Sequence, residues 1–181
     1  MEYAPSVVSW NLTRLCNERC AHCYLDAGPT ADRTDELSTE ECLGLIEELS
    51  ELAPGALLIF TGGEPLLRPD IYRLAEAASA AGFTVVVGTN GLLLDSERLA
   101  RLQRAGVQGV SLSLDSLRPE VHDAWRGRRG AWEATVASID NLQREGFPFV
   151  LQTTVSRANL AEVSEIVAFA AGRGARVLNL F

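Results

Sequence analysis

The chain has 181 residues, 47% of them hydrophobic and 22% charged, with a formal net charge of -8. That balance is globular rather than disordered, and the length suits one domain, residues 1–181, with a sizeable core. The acidic charge excludes a nucleic-acid backbone as the main partner, because such partners are held by basic patches and "RGRRG" at 126–130 is only a short knot. No apolar run approaches the roughly 20 residues of a membrane span, so no membrane partner is expected. The N-terminal stretch "MEYAPSVVSWNLTR" lacks the basic, apolar and small-residue regions of an export signal. The expected compartment is the cytoplasm, where thiols stay reduced.

In chain order, "VVSW" (7–10) predicts a first strand, followed by a cysteine-rich loop and the helix "LSTEECLGLIEELSEL". Ser38 or Thr39 caps that helix, Glu41 stands at capping-box distance from Ser38, and Leu45, Ile46, Leu49 and Leu52 form its apolar stripe. "ALLIF" (56–60) is a buried strand, "RPDIYRLAEAASAAG" a helix ending at Gly82, "FTVVVG" (83–88) a strand and "DSERLARLQRAG" a helix ending in glycine. There follow the strand "GVSLSLD" (109–115), the helix "AWEATVASIDNLQREG", the strand "FVLQTTV" (149–155), the helix "NLAEVSEIVAFAAGRG" and the strand "RVLNLF" (176–181).

Strands alternating with helices imply a parallel sheet with right-handed crossovers. Two architectures satisfy this: an open doubly wound sheet, or part of a (β/α) barrel. In "VSLSLD", Val110, Leu112 and Leu114 alternate with Ser111, Ser113 and Asp115. A central doubly wound strand would be apolar on both faces, whereas one polar face suits a strand that looks into a solvated barrel mouth. The expected fold is therefore α/β, a partial (β/α)6 TIM-type barrel of parallel strands. Six units fall short of eight, so this is expected to be the N-terminal part of a longer protein.

"CNERCAHCY" (16–24) contains three of the four cysteines in the chain. The loop follows the first strand, at the end where such folds place their sites. Structural zinc wants four ligands, usually as two paired knuckles. Here His22 or Cys42 would have to complete the set, and Cys42 lies beside the apolar stripe and reads as a packed core thiol. An iron–sulfur cluster with three cysteine ligands fits better, leaving one iron free for a small molecule.

The spacing of Cys16, Cys20 and Cys23, with His22 at the aromatic position and Tyr24 following, resembles the signature C-x3-C-x-aromatic-C of the radical S-adenosylmethionine (radical SAM) enzymes. "TGGEP" (61–65) stands after the second strand, as it does in that family. The resemblance implies a [4Fe-4S] cluster on Cys16, Cys20 and Cys23. It also implies S-adenosylmethionine (SAM) on the open iron, and a 5'-deoxyadenosyl radical that abstracts hydrogen from a substrate.

The same resemblance assigns the SAM amino group to Gly62, Gly63 and Glu64, although a plain tight turn would also explain these residues. It further implies that Thr89 and Ser113 contact SAM, with Asn90 and Asp115 close by, and that Arg126 in "HDAWRG" pairs with the SAM carboxylate. His22 packs near the cofactor in this reading, His122 is a structural hydrogen-bonding residue, and the sixth strand, "VLNLF", which ends at Phe181, lies near the adenine. "SWNLTRLCNERCAHCYLDAG", "GGEPLLRPDI" and "VVVGTNGLLL" are most similar to the branch of modified-haem (tetrapyrrole) biosynthesis and of SPASM/Twitch-type peptide or cofactor maturases. The implied partners are a tetrapyrrole or peptide substrate and an external one-electron donor such as a flavodoxin or ferredoxin. The rival reading is a zinc- or cluster-stabilised binding module without catalysis.

Overall fold

A computed structural model describes residues 4–181. Residues 1–3, part of the N-terminal stretch read above for an export signal, lie outside the described residues. Strands β1 (Val7–Asn11), β2 (Leu57–Thr61), β3 (Thr84–Thr89), β4 (Val107–Ser113), β5 (Phe149–Thr153) and β6 (Leu178–Leu180) form one parallel sheet in the order of the chain. Helices α1 (Thr39–Leu52), α2 (Ile71–Ala80), α3 (Ser96–Arg104), α4 (Pro119–Arg126), α5 (Ala131–Arg144) and α6 (Val163–Gly172) connect them. A strand order without reversal is barrel topology and has no doubly wound switch point, so the partial (β/α)6 expectation holds.

The pairing register sorts the side chains by face. Phe60, Val87 and Val110 stand abreast on β2 to β4, as do Leu112, Leu151 and Leu178 on β4 to β6. They pack against Leu74, Leu99, Leu102 and Leu142 of the helices in one core. Each fully buried Leu or Phe contributes roughly 1.5–3 kcal/mol by transfer from water. The opposite face carries Ser9, Thr61, Gly88, Ser113 and Gln152 and lines a cavity, which is the polar alternation expected from "VSLSLD".

Local chemistry explains the ends of the elements. Ser38 Oγ accepts from Glu41 N while Ser38 N donates to a Glu41 carboxylate oxygen, a complete capping box for α1. The apolar face of that helix differs from the expected stripe. Cys42 and Ile46 are its buried residues and Leu49 packs beside them, whereas Leu52 is 66% exposed. Cys42, Ile46, Leu49 and the buried Ala53 are spaced for one face of a helix, and Leu52 falls just outside it. A further helix, α4, intervenes between β4 and α5, with Pro119 in its first turn and Gly127 in the left-handed conformation after its last. Its brevity hid it from periodicity.

Candidate active site

A cavity of about 530 Å³ opens at the C-terminal ends of the strands. Every residue expected at the site lines it except Glu64: Cys16, Cys20, Cys23, His22, Gly62, Gly63, Thr89, Ser113 and Arg126. Asn90, Asp115 and Phe181 line it as well. Cys42 does not; it is 1% exposed, with its thiol against Leu37 O and Arg68. The chain thus brings three thiols to the cavity and keeps the fourth in the core.

The cysteine loop is held by backbone from two directions. Gly63 N donates to Thr13 O at 2.6 Å and Glu64 N to Leu15 O at 2.8 Å. A Cβ on Gly62 would stand 2.5 Å from Thr13 O, and one on Gly63 would stand 2.3 Å from Leu15 O. The expectation for both glycines is room for a ligand; in the structure they first admit the chain's own backbone. On the other side, Arg19 N donates to Arg126 O at 3.1 Å and Ala21 N to Trp125 O at 2.8 Å. Gly127, whose Cβ would stand 2.4 Å from Arg19 O, permits that approach. Carbonyls left unpaired at the end of α4 therefore order the loop between Cys16 and Cys23.

Glu64 departs from its expected place facing the cofactor: its side chain is completely buried and turned inward. Its carboxylate accepts from Leu66 N at 3.0 Å, Asn90 N at 2.9 Å and Thr89 Oγ1 at 2.9 Å. The physical reason is backbone demand, since the turn Pro65–Leu67 and the turn after β3 both leave amides that need an acceptor. Burial pushes its pKa up to about 7, against those three donors. The Thr89 hydroxyl is engaged by Glu64 and by Gly91 N, so Thr89 meets the cavity with little free hydrogen-bonding capacity. Ser113 stands on the inward side of β4 at the cavity wall.

Beneath the loop lies a buried charged group that the sequence only partly announced. Arg126 Nη2 pairs with Asp115 at 2.6 Å, and Nη1 lies 4.0 Å from Glu18 and 3.8 Å from Cys20 Sγ. Asp115 also accepts from Thr154 N at 2.9 Å and stands 3.7 Å from His22 Nε2. His22 packs against Trp125 with ring centroids 5.0 Å apart. His122 is fully buried, accepts from Asp115 N through Nδ1 at 3.2 Å, and is pushed down to about 4 by burial and by Arg126. Burial raises Glu18 to about 7, and Arg126 opposes the shift. Sequence reasoning misses Glu18 because an acidic residue in a loop gives no sign that the tertiary fold will enclose it. Gly127 is legible only as a glycine past a helix end.

The donor set fits an iron–sulfur group rather than a four-ligand ion. Burial pushes the Cys16 thiol up to about 11 and Cys20 up to about 12, so occupation by a metal must displace protons. His22 is turned to Asp115 and Cys42 to the core, so neither joins the three thiols. Arg126 lines the cavity, and its Nε is buried without a partner among the described residues, so this guanidinium has spare donor capacity beside the cavity.

Fold and site together define an open parallel (β/α) half-barrel with a three-thiol loop at its mouth. The Radical SAM superfamily model matches residues 10–170, and the chain belongs to that superfamily. It is 40% identical over 181 residues to the AdoMet-dependent heme synthase of Methanosarcina barkeri, covering all of this chain and 51% of that one. It is 36% identical over 173 residues to the mycofactocin maturase of Mycolicibacterium smegmatis, covering 95% of this chain and 43% of that one. Among solved structures, Streptococcus suis SuiB bound to S-adenosylmethionine superposes with a TM-score of 0.83 at 16% identity, covering 98% of this chain and 40% of that one. The chain spans about half the length of the curated relatives it matches.

Proposed function

We propose that the chain forms the cofactor-binding half of a radical SAM enzyme acting in modified-haem biosynthesis. Cys16, Cys20 and Cys23 hold a [4Fe-4S] cluster, and SAM occupies the cavity beside it. When bound, this pair supplies a 5'-deoxyadenosyl radical that takes a hydrogen atom from the substrate. The observation that carries the reading is the convergence of three thiols on one cavity while the fourth cysteine is packed away.

The chain's own residues orient and enclose. Gly62 and Gly63 offer backbone beside the loop, toward the SAM amino group. Ser113 bounds the cavity on β4, and the guanidinium of Arg126, which lines the same cavity, pairs with the SAM carboxylate in this reading. Glu64 acts through Thr89 and Asn90, which it holds, and His22 packs at the rim against Trp125. The cofactors carry the hard chemistry, and the protein supplies geometry and shielding.

The substrate proposed is a tetrapyrrole, because the AdoMet-dependent heme synthase matches the whole of this chain. A second reading, peptide maturation, draws on the mycofactocin maturase relative. A flavodoxin- or ferredoxin-class protein delivers the electron, and the cytoplasm suits the reduced thiols. Among the described residues no helix is long and apolar enough to cross a membrane.

Anaerobic reconstitution tests the site. Iron and sulfide in cluster proportion, and 5'-deoxyadenosine formed with dithionite and SAM, are expected in the wild type; Cys20→Ala should lose product by at least a hundredfold. Zinc without iron, or undiminished product in that variant, overturns the reading. An iron porphyrin that shifts its Soret band on binding, where a ribosomal precursor peptide does not bind, selects the tetrapyrrole; the reverse selects maturation.

A further inference from the structure

The three loop sulfurs each face one N–H donor, and the donors come from different parts of the chain. Asn90, in the turn after β3, directs Nδ2 to Cys16 Sγ at 3.8 Å and to Asn17 Oδ1 at 2.7 Å. Arg126, ending α4, directs Nη1 to Cys20 Sγ at 3.8 Å. Within the loop, Ala27 N reaches Cys23 Sγ at 3.4 Å.

The two side-chain donors are enclosed and braced. Asn90 is 7% and Arg126 6% exposed. Asn90 Oδ1 accepts from Leu92 N at 3.0 Å, and its carbonyl accepts from Thr135 Oγ1 at 3.0 Å. Arg126 is clamped by Asp115, which Thr154 N holds in turn. Here the Cys16 and Cys20 thiols also reach Asn17 Oδ1 at 4.0 Å and Glu18 at 3.7 Å as donors; a sulfur that ligates metal has lost that proton and only accepts, so the two N–H donors become its charge-assisted hydrogen bonds.

We propose that Asn90 and Arg126 are positioning residues that raise the reduction potential of the iron–sulfur group by donating N–H···S hydrogen bonds to Cys16 and Cys20. The inference rests on the cluster reading above. Reduction adds one negative charge, shared with the sulfurs, so a donor stabilises the reduced state more than the oxidised one. The electron comes from the flavodoxin- or ferredoxin-class donor, which is oxidised by one equivalent; no covalent bond forms or breaks. Cys16 and Cys20 lie under different braces, so the two contributions are separable.

The test is a redox titration of the anaerobically reconstituted protein, followed by electron paramagnetic resonance of the reduced cluster. Asn90→Leu removes a donor at similar volume, and Arg126→Lys keeps the charge but loses the fork that spans Asp115 and Cys20. Each is expected to lower the equilibrium constant for reduction at least threefold with iron and sulfide at wild-type levels. Asn90→Leu should also lose one exchangeable-proton coupling of the reduced cluster in deuterated buffer. An equilibrium constant for reduction within threefold of wild type in both variants overturns the proposal. If Arg126→Lys does not retain iron, Asn90→Leu decides alone. A wild type that takes up no iron overturns the cluster reading itself, and the iron assay reports that before any potential is read.

Discussion

Gly63 shows how one position serves the site without touching a ligand. Its missing Cβ lets the turn after β2 donate to Thr13 O and lets Glu64 N reach Leu15 O, so main-chain hydrogen bonds tie the loop to the glycine turn. Alanine there places a methyl 2.3 Å from Leu15 O, a backbone atom that cannot swing aside. Gly63→Ala is expected to cost about 1–3 kcal/mol by overpacking and to reduce iron uptake several-fold, measured by denaturant titration and iron assay. Gly44, in α1, is the control, because a methyl added there meets nothing within 4 Å. Gly44→Ala should be neutral or stabilising by up to about 1 kcal/mol. "TGGEP" is legible as a special turn, but its sequence does not say whether the space is needed by a ligand or by Leu15.

At the level of elements, α4 and α5 act as clamps on the two loops that carry the site. The last carbonyls of α4 receive the amides of Arg19 and Ala21. In α5, Thr135 Oγ1 donates to Asn90 O and Ser138 Oγ to Gly91 O, both buried. These hydroxyls satisfy carbonyls that the turn after β3 leaves without sheet partners. Gly91 O also accepts from Leu94 N, so Ser138→Ala removes one of two donors and should destabilise the protein by about 0.5–1.5 kcal/mol, with a fall in denaturation midpoint and an unchanged slope. Glu47→Ala on the exposed face of α1 should stay within about 0.5 kcal/mol of wild type. The period of α5 announces it in the sequence and that of α4 does not, because eight residues give barely two turns over which a pattern can repeat.

Across the molecule, buried titratable groups pull stability in opposite directions with pH. His122 is held near 4 in the fold, below its ordinary 6.5, so its contribution is lost as pH falls from 6.5 to about 4. Glu18 and Glu64 are raised to about 7 from 4.5, so theirs is present at low pH and lost as pH rises from 4.5 to about 7. His122→Gln keeps an acceptor for Asp115 N and removes the first effect. Relative to wild type, the variant should gain stability on acidification from pH 6.5 to 4, by at most roughly 3 kcal/mol. Chemical denaturation at intervals across that range reads it, and parallel curves for the two proteins would show that His122 carries no such linkage.

The alternation of strands and helices, the parallel half-barrel and the three-thiol loop are all legible in the linear chain, because they rest on local periodicity and on spacing within a few residues. So is the separation of Cys42 from the other cysteines, since that thiol repeats with the apolar face of its helix. Folding alone settles which way Glu64 turns, why Gly62, Gly63 and Gly127 must lack a side chain, and which donors face which sulfurs. Those facts join residues tens of positions apart, as Arg126 joins Cys20, and burial by distant elements sets the charges of Glu18 and His122. Nothing in a linear spacing encodes that enclosure; it exists only once the strands have brought their C-terminal ends to one mouth.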